Sequence, residues 1–360
     1  MHMKNSNAFS TFNKTLIATL LTFNAGSAFG FGIEAKGVLK TYGQPVHETL
    51  TKRAALESGF LTESQTVELK HLIEGSRFND DPEGCLLEGK HRKSAVICFA
   101  SEFIGPGKSK ADTDPTKSAH FGDFQFLHAM GKPAASRSEI KGRILLFAAH
   151  AWRIATDNDS FTKFTHDYDV VIQHLQLNTP IEKLSESQKI VRNSARLFPK
   201  EVLFFHAINQ VQFQYRAMGS LLHLVQDSYS KGHVVRVGWE QGHNSGKIRY
   251  FQDYKQQDSN EHKHLDNHDA GEVNEHSVLE IHGTGIALDR SKQILSMAAA
   301  KCPWTRGPVS SAGGCSQSLY GLLANDIFDF ESSDESIDTR SHIDLVPKPN
   351  VPDPNYLGGS

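Results

Sequence analysis

The chain has 360 residues, 38% of them hydrophobic and 22% charged, which is enough apolar material for one sizeable core and too much for a disordered chain. Its formal net charge of −3 argues against a protein that holds nucleic acid by broad neutralisation of phosphates.

The first 28 residues have the layout of a secretory signal peptide. Lys4 and Lys14 carry positive charge, Thr15 to Phe23 forms an apolar run, and Gly26-Ser27-Ala28 offers a small-residue cleavage site. The run is about half the ~20 residues that a membrane span needs. Cleavage after Ala28 starts the mature chain at Phe29, with Gly30 as the alternative cut, and loss of the two lysines takes the formal charge from −3 to about −5. Export suits the four cysteines, for which the local pairing Cys85–Cys98 and Cys302–Cys315 is the favoured of three connectivities. No CxxC occurs, so a thiolate zinc site is disfavoured.

Past the signal, Val46 to Ile73 carries helical periodicity, interrupted near Gly59-Phe60 and restarted around Thr62-Glu63-Ser64. Asn79 to Thr116 is polar and rich in turn residues, which predicts a long surface excursion stapled by a disulfide. Ile140 to Thr156 and Leu197 to Tyr229 read as buried or amphipathic helices, Val278 to Lys301 as another, and Leu319 to Phe328 as a shorter one. Strand signals are sparse. Beyond Glu331 the chain turns acidic and then proline-rich, as an extended tail would over 331–360. The expected fold class is therefore all-α: a single helical domain over 29–330, with long stapled loops.

Chemistry concentrates in HLVQDSYSKGH. On a helix, His223 and Asp227 stand at i and i+4 on one face, and His233 follows just beyond the helix end. Nineteen histidines occur in the chain, and a His-rich stretch from Glu261 to His282 carries a second spaced pair, His262 and Asp266. Imidazole and carboxylate together suit zinc in an enzyme. His128, His150 and His206 lie in apolar helical surroundings and read as core or groove histidines, and the aromatic run Phe204 to Tyr215 reads as core.

With these residues in order, the chain resembles the zinc-dependent phospholipase C and single-strand nuclease family, whose members are helical bundles around three zinc ions. AMGSLLHLVQDSYSKGH is similar to that family's central signature. His47 in PVHETL, Asp80 in SRFNDDPE and His120 in SAHFGDF resemble its earlier ligands, and His262 and Asp266 its closing pair. The resemblance implies one zinc held by Asp80, His120, His223 and Asp227. A second is held by His47, Asp227 and the backbone of the mature N-terminal residue Phe29, and a third by His233, His262 and Asp266. Asp227 then bridges two ions, a task for a side chain with two acceptor oxygens. Asp80 and Asp227 are the implied catalytic residues, Asp80 orienting or deprotonating the attacking water.

The chain departs from the family in three places. Phe29 replaces the usual leading Trp, and Asp81 and Lys117 stand where choline-recognising members carry aromatics. His268 with Glu272, and His276 with Glu280, repeat the spacing of the closing pair. The resemblance spans about Phe29 to Asp266. It implies a secreted enzyme that hydrolyses phospholipid at a membrane surface to diacylglycerol and a phosphorylated headgroup. The alternatives are a secreted single-strand nuclease with the same zinc chemistry and a non-catalytic binding protein stabilised by zinc.

Overall fold

A computed structural model describes residues 45–82, 115–132, 135–176, 181–185, 200–238, 246–254, 274–307 and 314–331, with a few single residues between them. The protein is mostly helical: α1 (Val46–Glu57), α2 (Thr66–Phe78), α3 (Pro115–Phe121), α4 (Arg137–Thr156), α5 (Ser160–Gln176), α6 (Lys200–Phe204), α7 (Gln210–Asp227), α8 (Thr284–Ala299) and α9 (Leu319–Leu322), the last running into a π turn. Two short strands, β1 (Val234–Arg236) and β2 (Ile248–Phe251), pair antiparallel, with Val234 opposite Phe251 and an irregularity between Val235 and Arg236. This hairpin is an addition to the all-helical expectation. Among the described residues no helix is long and apolar enough to cross a membrane.

Helix α7 occupies the centre. Asn209 caps its start by accepting a hydrogen bond from the Gln212 N–H, and every residue from Arg216 to Asp227 is buried. A helix buried all round must meet neighbours on every side, and α7 packs on α1, α2, α4, α5 and α8. The closest approach is to α2, where two glycines face the opposite backbone. A Cβ on Gly219 would stand 2.0 Å from the Leu72 carbonyl oxygen, and one on Gly75 would stand 2.3 Å from that of Arg216. Beside this contact Arg216 Nη2 donates to the buried Glu74 carboxylate at 2.6 Å.

The helix expected over Leu197 to Tyr229 is broken in two. Phe205 and His206 both adopt positive φ, 49° and 52°, which ends α6. Arg216 Nη1 donates to the His206 carbonyl at 2.7 Å, and His206 Nε2 donates to the Pro82 carbonyl. Tertiary hydrogen bonds thus hold a corner that local propensity does not announce. The interruption near Gly59 occurs as expected, with Gly59 at φ 70°. Gly283, at φ 90°, separates a 3-10 turn (Ser277–Glu280) from α8. Helix α5 had no sequence expectation. The disulfide Cys302–Cys315 is formed, while Cys85 and Cys98 lie outside the described residues.

His150 is a core histidine, as its apolar context predicts. Its ring stacks on Phe205 at 5.9 Å, and Nε2–H donates to the Leu203 carbonyl at 3.2 Å. Burial lowers its pKa from the usual 6.5 to about 4. Between those values the unfolded chain binds a proton that the folded chain refuses. Stability is therefore whole above pH 6.5 and falls as pH drops towards 4, by up to about 1.4 kcal/mol per unit. Urea unfolding of wild type and His150→Gln at pH 7 and pH 5 checks this: the wild type is expected to lose more stability than the variant over that interval.

Candidate metal centre

Five separate segments deliver six buried groups to one point beside the C-terminal end of α7. His223 and Asp227 lie one turn apart on its last turns. The chain then tightens, with Tyr229 N–H bonded to the Gln226 carbonyl and His233 N–H to the Ser230 carbonyl, and brings His233 back just before β1. His47 comes from the first turn of α1, Asp80 from just past α2, and His128 from the end of a 3-10 turn (Gln125–His128). All six have 0% exposure.

Asn79 fastens three of these segments together. Its side-chain amide donates to the carbonyls of Leu127 at 2.6 Å and Ser220 at 3.2 Å, and its oxygen accepts from the Ser220 hydroxyl. The end of α2, the turn carrying His128 and helix α7 are therefore tied together.

Asp227 is the hub. His47 Nε2 stands 3.1 Å from Oδ1, while His128 Nδ1 and His223 Nε2 each stand 2.9 Å from Oδ2 and His233 Nδ1 3.3 Å from it. Asp80 lies a little farther off, Oδ1 at 3.8 Å from His128 Nδ1 and Oδ2 at 3.8 Å from His223 Nδ1. Two ligand atoms on a tetrahedral zinc, each about 2.0–2.1 Å from it, are about 3.3–3.4 Å apart. The spacings around Asp227, 2.9 to 3.3 Å, lie at that value or a few tenths of an ångström below it. Three groups have ligand atoms all within 4.8 Å of one another: His47, His223 and Asp227; Asp80, His128 and His223; His128, Asp227 and His233.

Outer hydrogen bonds orient the imidazoles. His223 Nδ1–H donates to the Ser76 carbonyl at 2.6 Å, and His233 Nδ1–H to the His128 carbonyl at 2.6 Å. His47 Nδ1–H donates to Gln226 Oε1 at 2.8 Å; Gln226 is itself fixed by donating to the hydroxyls of Thr51 and Ser291. Each bond makes Nε2 the lone-pair nitrogen of its ring, which is how metal-ligating histidines are usually held.

The charge balance also asks for a cation. Burial works to raise the Asp227 pKa, but His233, His223 and His47 together hold it well below the ordinary carboxylate value. Burial, then the neighbouring carboxylates of Asp227 and Glu48, push Asp80 well above its usual value. Burial lowers the pKa of His128 and His223, which favours the neutral form that can ligate. Both Asp80 oxygens, Asp227 Oδ1 and His128 Nε2 are buried without a hydrogen-bond partner. Such groups are costly in a dry interior. A divalent cation among them would satisfy the orphaned atoms and allow both carboxylates to ionise. The donor set therefore fits a metal.

The structure brings together His47, Asp80, His223, Asp227 and His233, five of the residues singled out from sequence. His120 is buried too, with its ring 5.0 Å from that of His128 and 5.5 Å from that of Tyr254, but it stands outside the three compact groups. His128, expected as a core or groove histidine, is buried and stands with Asp80 and His223 in one of the compact groups. Its signal was weak because it sits alone on a 3-10 turn, in QFLHAM, with no acid or histidine four residues away. Phe29, His262, Asp266 and the alternative pair His268 and Glu272 lie outside the described residues. His276 and Glu280 are both exposed and belong to none of the ligand groups.

Known proteins add no further constraint. No family model, curated protein or solved structure matches this chain. What the site can do must be drawn from its own residues.

Tyr254 closes one side. The residue is buried, and its ring lies 5.5 to 6.0 Å from the rings of His120, His128 and His233. The Tyr254 N–H donates to Gln125 Oε1 at 3.1 Å, which ties β2's exit to the turn that carries His128.

Proposed function

We propose that the protein is a secreted zinc hydrolase that cleaves phosphodiester bonds of phospholipids, in the manner of a phospholipase C. The observation that carries this reading is the hub: one buried carboxylate, Asp227, shared by four imidazoles, with a second carboxylate, Asp80, left without hydrogen bonds beside it. The order of residues that resembles the zinc phospholipase C and nuclease family supports the choice of reaction, and the disulfide Cys302–Cys315 supports export.

Bound zinc supplies Lewis acidity at the phosphoryl oxygens and lowers the pKa of water towards ~7. The chain's own groups do the rest. Asp227 presents its two oxygens in different directions, Oδ1 to His47 and Oδ2 to His128 and His223, the arrangement needed for a bridging ligand. Asp80, next in the chain to the anchored Asn79, orients the attacking water and accepts its proton at a carboxylate oxygen. Three ions are proposed, the third completed by His233 with His262 and Asp266. The acidic formal charge expected of the mature chain favours lipid over single-stranded nucleic acid.

The test is side-by-side hydrolysis of mixed phospholipid vesicles and single-stranded DNA, with and without a chelator. Lipid turnover that chelation abolishes and zinc restores is the expected result. Cleavage of DNA alone would move the protein to the nuclease reading, and zinc-loaded protein inert on both would make it a binding protein.

A further inference from the structure

A second feature lies apart from the metal centre and shares no residue with it. A cavity of about 350 Å³ opens between α4, α5 and the segment that follows α8. Leu146, Ala149, Ile154, Phe164, Val191 and Trp304 make its apolar lining. The wall is held in place: Trp152 Nε1 donates to the Cys302 carbonyl at 3.2 Å, Cys302 is bonded to Cys315, and the Trp304 ring packs on Tyr320 at 5.8 Å.

Charge at the cavity is uneven. Three cations, Lys163, Arg153 and Lys301, and two carboxylates, Asp157 and Asp167, line it. Lys163 is already paired with Asp157 at 3.2 Å, whereas Arg153 and Lys301 form no ion pair among the described residues. His150, also in the lining, is neutral near pH 7 because burial lowers its pKa to about 4. With Lys163 and Asp157 paired, two cations outside any ion pair, Arg153 and Lys301, face one carboxylate, Asp167, so the cavity wall carries an excess of one positive charge. Its volume sits at the small end of the ~300–1,000 Å³ typical of ligand pockets, which suits one hydrocarbon chain rather than two.

We propose that this cavity binds a single-chain amphiphile with an anionic head, a fatty acid of medium length, its chain against Phe164 and Trp304 and its carboxylate at Arg153 and Lys301. Apolar burial holds the tail, and the two cations select for the charged head. The site is independent of the reaction proposed above, so chelated protein binds the same ligand.

The cavity holds two of the chain's three tryptophans, Trp152 and Trp304, which gives a direct readout. The probe is 11-bromoundecanoate, whose bromine quenches tryptophan on contact, added to the full mature protein in a Trp239→Phe background. Saturable quenching at one equivalent, below the concentration at which the probe forms micelles, is expected. Each methylene removed from the chain should weaken binding about fourfold. The double variant Arg153→Gln/Lys301→Gln, at two exposed positions where folding is not at stake, should weaken undecanoate at least tenfold and leave undecanol unchanged. Absence of saturable quenching, or equal affinity of the double variant for undecanoate, overturns the proposal.

Discussion

Asp227→Asn is expected to abolish phosphodiester hydrolysis, with a loss beyond about 10³-fold, and to lower the zinc content of the purified protein. The substitution keeps the size of the side chain and changes its chemistry. An amide has one acceptor oxygen and two N–H donors, so it cannot present a lone pair on each side, and it carries no charge to balance a cation. Four histidines converge on Asp227 at 2.9 to 3.3 Å, and each loses its anionic neighbour at once. Disturbing a mere outer partner of a metal ligand costs 10–100-fold, and a bridging ligand is expected to cost more. Circular dichroism separates this from misfolding: the helical signal should persist while activity and zinc are lost.

The second large effect is expected from Gly219→Ala, at the packed face rather than the site. The new Cβ would lie 2.0 Å from the Leu72 carbonyl oxygen and 2.7 Å from the Ser76 nitrogen. Both are backbone atoms of a neighbouring helix, which no rotamer change can move aside. Helices α2 and α7 must separate, at a cost of about 3 kcal/mol, the upper end of ordinary overpacking. Separation also draws the Ser76 carbonyl from His223 Nδ1, so zinc affinity should fall with stability. Gly142→Ala in α4 is the control. Nothing lies within 4 Å of its added Cβ, so it should stabilise by about 0.5–1 kcal/mol through helix propensity alone. Urea midpoints of the two variants are expected to move in opposite directions.

Much of this arrangement is legible in the sequence, and the limits are physical. The spacing of His223 and Asp227 follows from helix geometry, so a correct helix placed both residues on one face. His47 and Asp80 became legible through order along the chain. His128 did not, because a lone histidine on a 3-10 turn has no periodic partner, and long-range contacts, the Asn79 hydrogen bonds to Leu127 and Ser220 and the bond from His233 to the His128 carbonyl, bring it to the hub. The corner at Phe205 and His206 escaped for a similar reason: Arg216, eleven and ten residues further along the chain, holds their carbonyls from across the turn. Local pattern supplied the helices, and long-range polar contacts supplied their ends. The β1–β2 hairpin was too short to show alternation over more than a few residues.

Asp80 sharpens the electrostatic side of the account. Next to Asp227 and without a cation, its buried carboxyl is driven towards the protonated form, and its oxygens find no donor. An ion at the hub reverses both conditions. Metal occupancy and the ionisation of Asp80 are therefore coupled.

The central claim is that this buried hub is a zinc centre, and elemental analysis tests it most directly. Mature protein purified in zinc-supplemented buffer, freed of loose metal by gel filtration, is measured beside Asp227→Asn. Three zinc ions per wild-type chain and a clear deficit in the variant are expected. A folded wild-type protein that carries no zinc and takes none up would contradict the claim.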